Sequence, residues 1–147
     1  MLPAITVIGR VTHDPELRFG ASGTGVCSFT VACNKRKKNK TTDQWEDVYP
    51  TFFRCKAFGQ LAENVAESIT KGMEVIIYGE MYEEKYTGRD GGEKTSYQNV
   101  LLEAVGPNLR WATAVVRKAE RTGGQQQQAA PPAAAPDPWA TEEPPPF

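Results

Sequence analysis

Apolar and polar positions alternate with a period of two through most of the first 105 residues, the signature of half-buried strands. Ile5, Val7 and Val11 alternate with Thr6, Arg10 and Thr12 around Gly9. Cys27, Phe29, Val31 and Cys33 alternate with Ser28, Thr30, Ala32 and Asn34, and Thr51, Phe53, Cys55 and Ala57 with Phe52, Arg54, Lys56 and Phe58. Met73 to Met81, interrupted by Gly79, predicts a fourth strand, and Thr95 to Val105 a fifth. Asp14-Pro15, Gly20 to Gly25 and Gly88 to Gly92 supply the links. One segment has another period: Leu61, Val65 and Ile69 fall four apart beside Ala62 and Ala66, while Glu63 and Glu67 face elsewhere. That spacing predicts a short amphipathic helix ending near Lys71-Gly72.

Three strands, a helix and two strands fit an all-β architecture, the five-stranded oligonucleotide-binding (OB) barrel with one helix between strands three and four. A generic small mixed barrel fits the same order. Trp111, Thr113 and Val115 alternate in Leu109 to Val116, which reads as an extra C-terminal strand, an arm against a second subunit, or a loose extension. The folded domain is expected over residues 1–116, with a disordered tail over 117–147. From Thr122 the chain is rich in Gln, Pro and Ala, and such a segment buries too little apolar area to offset its ordering.

Charge alters this picture once it is divided. The net charge of −1 conceals a tail from 122 onward that carries Asp137, Glu142 and Glu143 and no cation. No apolar run is long enough for a membrane span, and MLPAITVIGR does not read as an export signal, so a cytoplasmic protein is expected. Cys27, Cys33 and Cys55 lack C-x-x-C spacing, which predicts small buried residues rather than a zinc site; Cys27 and Cys33 would share a strand face, leaving an intersubunit disulfide open. Catalytic chemistry is poorly represented. His13 is the single histidine, beside Asp14-Pro15, and the glycine-rich Gly20 to Gly25 joins two strands rather than a strand and a helix. No enzyme, metal or cofactor is expected.

The third predicted strand is the most informative. Phe52 and Phe58 share a face with Arg54 and Lys56, and cations between rings oppose burial of that face. Bases present flat surfaces to rings and phosphates attract cations, so the alternation suits single-stranded nucleic acid; packing in a subunit interface or under the helix is the competing reading of the rings. Lys35, Arg36, Lys37, Lys38 and Lys40 form a cationic run at the end of the second strand, either a solvated loop or a phosphate-binding one. Trp45, across that loop, either stacks on a base or closes the loop. Tyr78, Tyr82 and Tyr86 recur every four residues. Tyr86, next to Lys85 and ahead of Arg89, is the best stacking candidate, while Glu80, Glu83 and Glu84 would repel phosphate unless turned away. Arg10 completes the candidate nucleic-acid set. In the tail, Trp139 and Phe147 beside Glu142, Glu143 and Pro146 suggest a short peptide that docks in a partner's pocket.

The stretches VIGRVTHDPELRF, GTGVCSFTVACN, FFRCKAFGQLAENVAESITKG, VIIYGEMYEEKYTGRDG and VGPNLRWATAVV make the chain resemble bacterial single-stranded DNA-binding proteins, particularly those of actinobacteria or their phages. The resemblance is colinear over nearly all of residues 3 to 116. It implies a homotetramer that wraps single-stranded DNA, protects it in replication, recombination and repair, and recruits proteins of those processes through its tip. A cytoplasmic, nucleoid-associated location follows. The family's stacking positions fall on Phe52, Phe58 and Tyr86, whereas its first-loop tryptophan falls near Lys37, a departure that favours phosphate attraction over stacking there. RWATAVV resembles a strand that clasps subunits. A barrel that binds RNA, a subunit of a larger DNA machine, and a protein-interaction adaptor are the alternatives.

Overall fold

Alternate residues along each long strand turn inward, and the inward set closes over one core. In the computed structural model, which describes residues 1–119, β1 (Ala4–Val11), β2 (Glu16–Phe19), β3 (Gly25–Lys38) and β4 (Trp45–Phe58) precede the helix α1 (Gln60–Ser68), and β5 (Glu74–Thr87) and β6 (Glu93–Pro107) follow it. They form one sheet in the order β1-β5-β6-β4-β3-β2. β1 also pairs with β3, Arg10 with Ala32 and Val11 with Val31, which joins the sheet into a ring. The pairs are antiparallel except β4–β6, which run parallel through Arg54–Asn99, Cys55–Val100 and Lys56–Leu101.

This corrects the expected five-stranded barrel. The fold is a six-stranded mixed sheet whose pairings form a ring, with the helix between strands four and five. The additional strand is β2, which pairs Glu16 with Ser28 through to Phe19 with Gly25. No extra strand forms at the C-terminal end of the described residues. Beyond Pro107 a turn leads into irregular chain, with Leu109, Trp111, Val115 and Val116 exposed and the Arg110 guanidinium 5.3 Å from the Trp111 ring centroid.

The core joins Val7 and Val11 of β1, Phe29 and Val31 of β3, Phe53 and Cys55 of β4, Val75 and Ile77 of β5, and Val100 and Leu102 of β6. Ala62 and Val65 of α1 cover one end. The helix stops a turn earlier than its period predicts. Ile69 leaves helical geometry at φ −101°, ψ 132° and still buries its side chain. Asp14 holds the following loop, accepting a hydrogen bond of 2.8 Å from the Lys71 N–H. Cys27 and Cys55 are core residues and Cys33 is half-buried; among the described residues all three are free thiols. Cys27 is wholly enclosed within its own protomer, which closes it to a disulfide with another subunit.

Two glycines allow the ring to form. A Cβ on Gly9 would lie 2.5 Å from the Ala32 carbonyl oxygen, where β1 passes from β5 to β3. A Cβ on Gly79 would collide with the Leu101 carbonyl, at an irregularity in the β5–β6 ladder.

Candidate nucleic-acid interface

The β3–β4 hairpin is far longer than the alternation predicts, and its register changes once. Cys33 pairs with Thr51, but Lys35, two residues on, pairs with Val48, three residues back. One extra residue therefore sits in β4 around Tyr49-Pro50, where Pro50 has no N–H to lose from the ladder. Tyr49 takes φ 55°, a left-handed conformation uncommon outside glycine.

The extra residue swaps the faces of β4. Phe52, Arg54, Lys56 and Phe58 point outward between the buried Phe53, Cys55 and Ala57. Beyond the bulge the outward positions are Asp47 and Trp45, whose ladder partners are Arg36 and Lys38. Trp45 thus joins the face of Phe52, and these rings are 61% and 51% exposed. The cationic run is divided by the same register: Arg36 and Lys38 lie on this face, Lys35 and Lys37 on the other. Lys40 lies in the turn, where the Asn39 Oδ1 accepts from the Thr41 N–H at 2.8 Å.

Across the sheet, Arg18, Val26 and Phe58 form one cross-strand row and Arg10, Ala32 and Phe52 another. Arg10 donates to the Gly72 carbonyl at 3.2 Å and lies 4.0 Å from Glu74, so it stands at the margin of the aromatic strip. Between the two phenylalanines a shallow cleft is lined by His13, Thr30, Arg54, Lys56, Tyr82 and Glu84. The side chain of Asn99 forms its floor. It is 1% exposed and donates to the Ser96 carbonyl at 2.8 Å, which ties down the irregular stretch of β6 opposite Tyr82 and Glu84.

β5 keeps its alternation through this region, so Tyr82, Glu84 and Tyr86 share the outer face. Lys85 turns the other way and pairs with Glu93 at 3.8 Å. The cation beside Tyr86 is instead Lys94, its ladder partner on β6, which sequence spacing did not single out because it lies across the hairpin. Arg89 is exposed in the connecting turn. Tyr49, 77% exposed at the bulge, and Tyr97, 64% exposed, are further aromatic residues that alternation gave no reason to select. Trp139, Glu142, Glu143, Pro146 and Phe147 lie outside the described residues.

Among the described residues this face carries exposed rings, Trp45, Phe52, Phe58 and Tyr86, with cations between and beside them. The family model described as "Single-strand binding protein family" matches residues 2–107. The chain belongs to that family. It is accordingly a binding protein and not an enzyme. The single-stranded DNA-binding protein of Mycobacterium tuberculosis is 45% identical over 120 residues, covering 82% of this chain and 73% of the relative. That of Paenarthrobacter nicotinovorans is 37% identical over 149 residues, covering 95% and 87%. The crystal structure of the small single-stranded DNA-binding protein from Streptomyces coelicolor superposes with a TM-score of 0.63 at 28% identity, covering 74% of this chain and 95% of that one. Family membership thus agrees with the resemblance read from the sequence. Among the described residues no three His, Cys, Asp or Glu side chains are grouped to hold a metal, and no helix is long and apolar enough to cross a membrane.

Proposed function

We propose that this protein binds single-stranded DNA largely without sequence preference, stacking bases on Phe52, Phe58, Tyr86 and Trp45 while Arg10, Arg36, Lys38, Arg54, Lys56 and Arg89 attract phosphates. The observation that carries the reading is the β4 bulge, which gives Trp45 the same face as Phe52 and Phe58 with cations on the neighbouring strand. Every base has a π-face, so a strip of rings accepts any sequence, and each stacked base is worth about 1–3 kcal/mol. Lys35, Lys37 and Lys40 contribute by raising the local positive potential. The biological role is to protect exposed strands in replication, recombination and repair, in the cytoplasm and on the nucleoid.

The domain is proposed to assemble as a homotetramer. Support comes from a second outward patch: Ile8 and Thr6 of β1 stand opposite Ile76 and Tyr78 of β5, and Ile8, Ile76 and Tyr78 are all exposed. Such an exposed apolar strip suits contact with another copy. The tail is proposed to be a tether whose tip, Trp139, Glu142, Glu143, Pro146 and Phe147, recruits replication and repair proteins.

A salt series with poly-thymidine, run beside an RNA of equal length and a sedimentation measurement of the assembly, tests this. Binding to DNA that weakens steeply with salt and a tetrameric mass are expected. Weak, salt-insensitive binding to both nucleic acids would overturn the reading.

A further inference from the structure

The cleft between Phe52 and Phe58 contains an ion pair that a bound strand would have to disturb. Lys56 Nζ lies 3.6 Å from Glu84 Oε1, with side chains 33% and 47% exposed. The partners come from β4 and β5, which are separated in the sheet by β6, so the pair reaches over an intervening strand at the floor of the cleft. Arg54, two residues from Lys56 on the same face, makes no ion pair among the described residues. The arrangement recurs beside Trp45, where Arg36 Nε is 3.5 Å from Asp47 Oδ1. Glu84 therefore does not point away from the cationic face. It occupies one of its cations.

We infer that Glu84 is an internal competitor for phosphate at Lys56 and thereby sets both the affinity and the salt dependence of strand binding. The inference rests on the proposed use of this face. An ion pair open to water is weak, so a phosphate can take Lys56 from its partner. The displaced carboxylate is then an uncompensated anion close to the strand, and it draws a cation from solution. A phosphate bound at a free lysine releases a counterion, which is the source of salt dependence; here that release is offset by the uptake at Glu84. Lys56 consequently contributes less to affinity, and less to the salt slope, than an unpaired cation in the same place.

Glu84→Gln keeps the shape of the side chain and removes its charge. On a fluorescent 30-mer of deoxythymidine, full-length Glu84→Gln protein is expected to bind more tightly than the wild type at low salt, with a log–log salt slope steeper by about 0.7, the value for one phosphate on a single strand. A slope difference of that size closes the affinity gap by about fivefold for each tenfold rise in salt. In a Lys56→Gln background the gain from Glu84→Gln should largely disappear, because there is no lysine to release. An equal gain in both backgrounds would make Glu84 a distant repulsive charge and overturn the pairing inference, as would unchanged affinity and slope in Glu84→Gln alone. Phe52→Ala in the same assay separates the two levels: unchanged binding there means that the face does not carry the strand at all.

Discussion

Lys38 and Trp45 stand opposite each other in the β3–β4 ladder, on the face that also carries Phe52. Simple alternation places Trp45 with Phe53 and Cys55, pointing into the core. The extra residue at Tyr49-Pro50 reverses that, so a backbone irregularity decides whether the tryptophan can meet a ligand. Trp45→Ala is expected to weaken binding of a deoxythymidine 30-mer by about 1–3 kcal/mol, with the thermal melting point little changed because the ring is exposed. Fluorescence anisotropy and a melting curve of the same sample check both halves.

The division of the cationic run leads to a second expectation. Replacing Arg36 and Lys38 by glutamine should flatten the log–log salt slope, by less than the value of about 0.7 for each phosphate held by a free cation, because Asp47 and Asp43 already pair with them at 3.5 and 2.9 Å. Replacing Lys35 and Lys37, which the register puts on the opposite face, should leave more of that slope in place. Equal slopes in the two double variants would show that the hairpin acts as an undivided cloud of charge.

Gly79 offers a test of the ring itself. An added methyl meets the Leu101 carbonyl, a backbone atom that cannot rotate away. Gly79→Ala is expected to destabilise the fold by about 1–3 kcal/mol, the usual range for overpacking. Chemical denaturation followed by tryptophan fluorescence would register the change, whereas the same substitution at Gly106, where a Cβ meets nothing within 4 Å, should be milder.

Cys55 provides a pH signature. Burial pushes its thiol from the ordinary 9.0 up to about 12. In the unfolded chain the thiol ionises first, so its contribution to stability is intact below pH 9 and is lost as the pH rises from 9 toward 12. Within that window the loss approaches about 1.4 kcal/mol per pH unit. Cys55→Ala should therefore show a shallower decline in alkaline stability than the wild type. Iodoacetamide should also label native Cys55 much more slowly than the half-buried Cys33, as followed by peptide mass spectrometry.

The proposed tip is tested without touching the folded domain. Deleting residues 142–147 should preserve or slightly strengthen DNA binding at low salt, because an anionic segment no longer competes for the cations. Recruitment of DNA-processing proteins in pull-downs from a matching cell extract should fall. Equal capture by both forms would assign the docking role elsewhere.

Much of the architecture was legible because core and surface alternate strictly where one face is buried. Val7, Phe29, Phe53, Val75 and Val100 all lie inside where period two requires. β2 escaped notice because ELRF is four residues long and buries only Leu17 in part, too little alternation to register. Ile69 continued the four-residue spacing of Leu61 and Val65 yet leaves the helix, since a buried side chain can satisfy the pattern from extended backbone. The alternation of Trp111, Thr113 and Val115 did not produce a strand, because in the protomer no neighbouring strand covers it. In the candidate site, Phe52, Arg54, Lys56 and Phe58 were readable from parity alone. The positions of Trp45, Lys94 and the partner of Glu84 depend on register between strands, which composition and spacing do not encode.

The parallel pairing of β4 with β6 has a mechanical consequence. β3–β4 and β5–β6 are long hairpins, each closed by a local turn, whereas Arg54–Asn99, Cys55–Val100 and Lys56–Leu101 join residues some 45 positions apart in the chain. Such a long-range joint closes a far larger loop of chain than either hairpin does. Phe52 and Phe58 lie on one side of it and Tyr86 on the other. A ligand resting on all three would act as a splint, and amide hydrogen exchange along Asn99 to Leu101 should slow when it is bound.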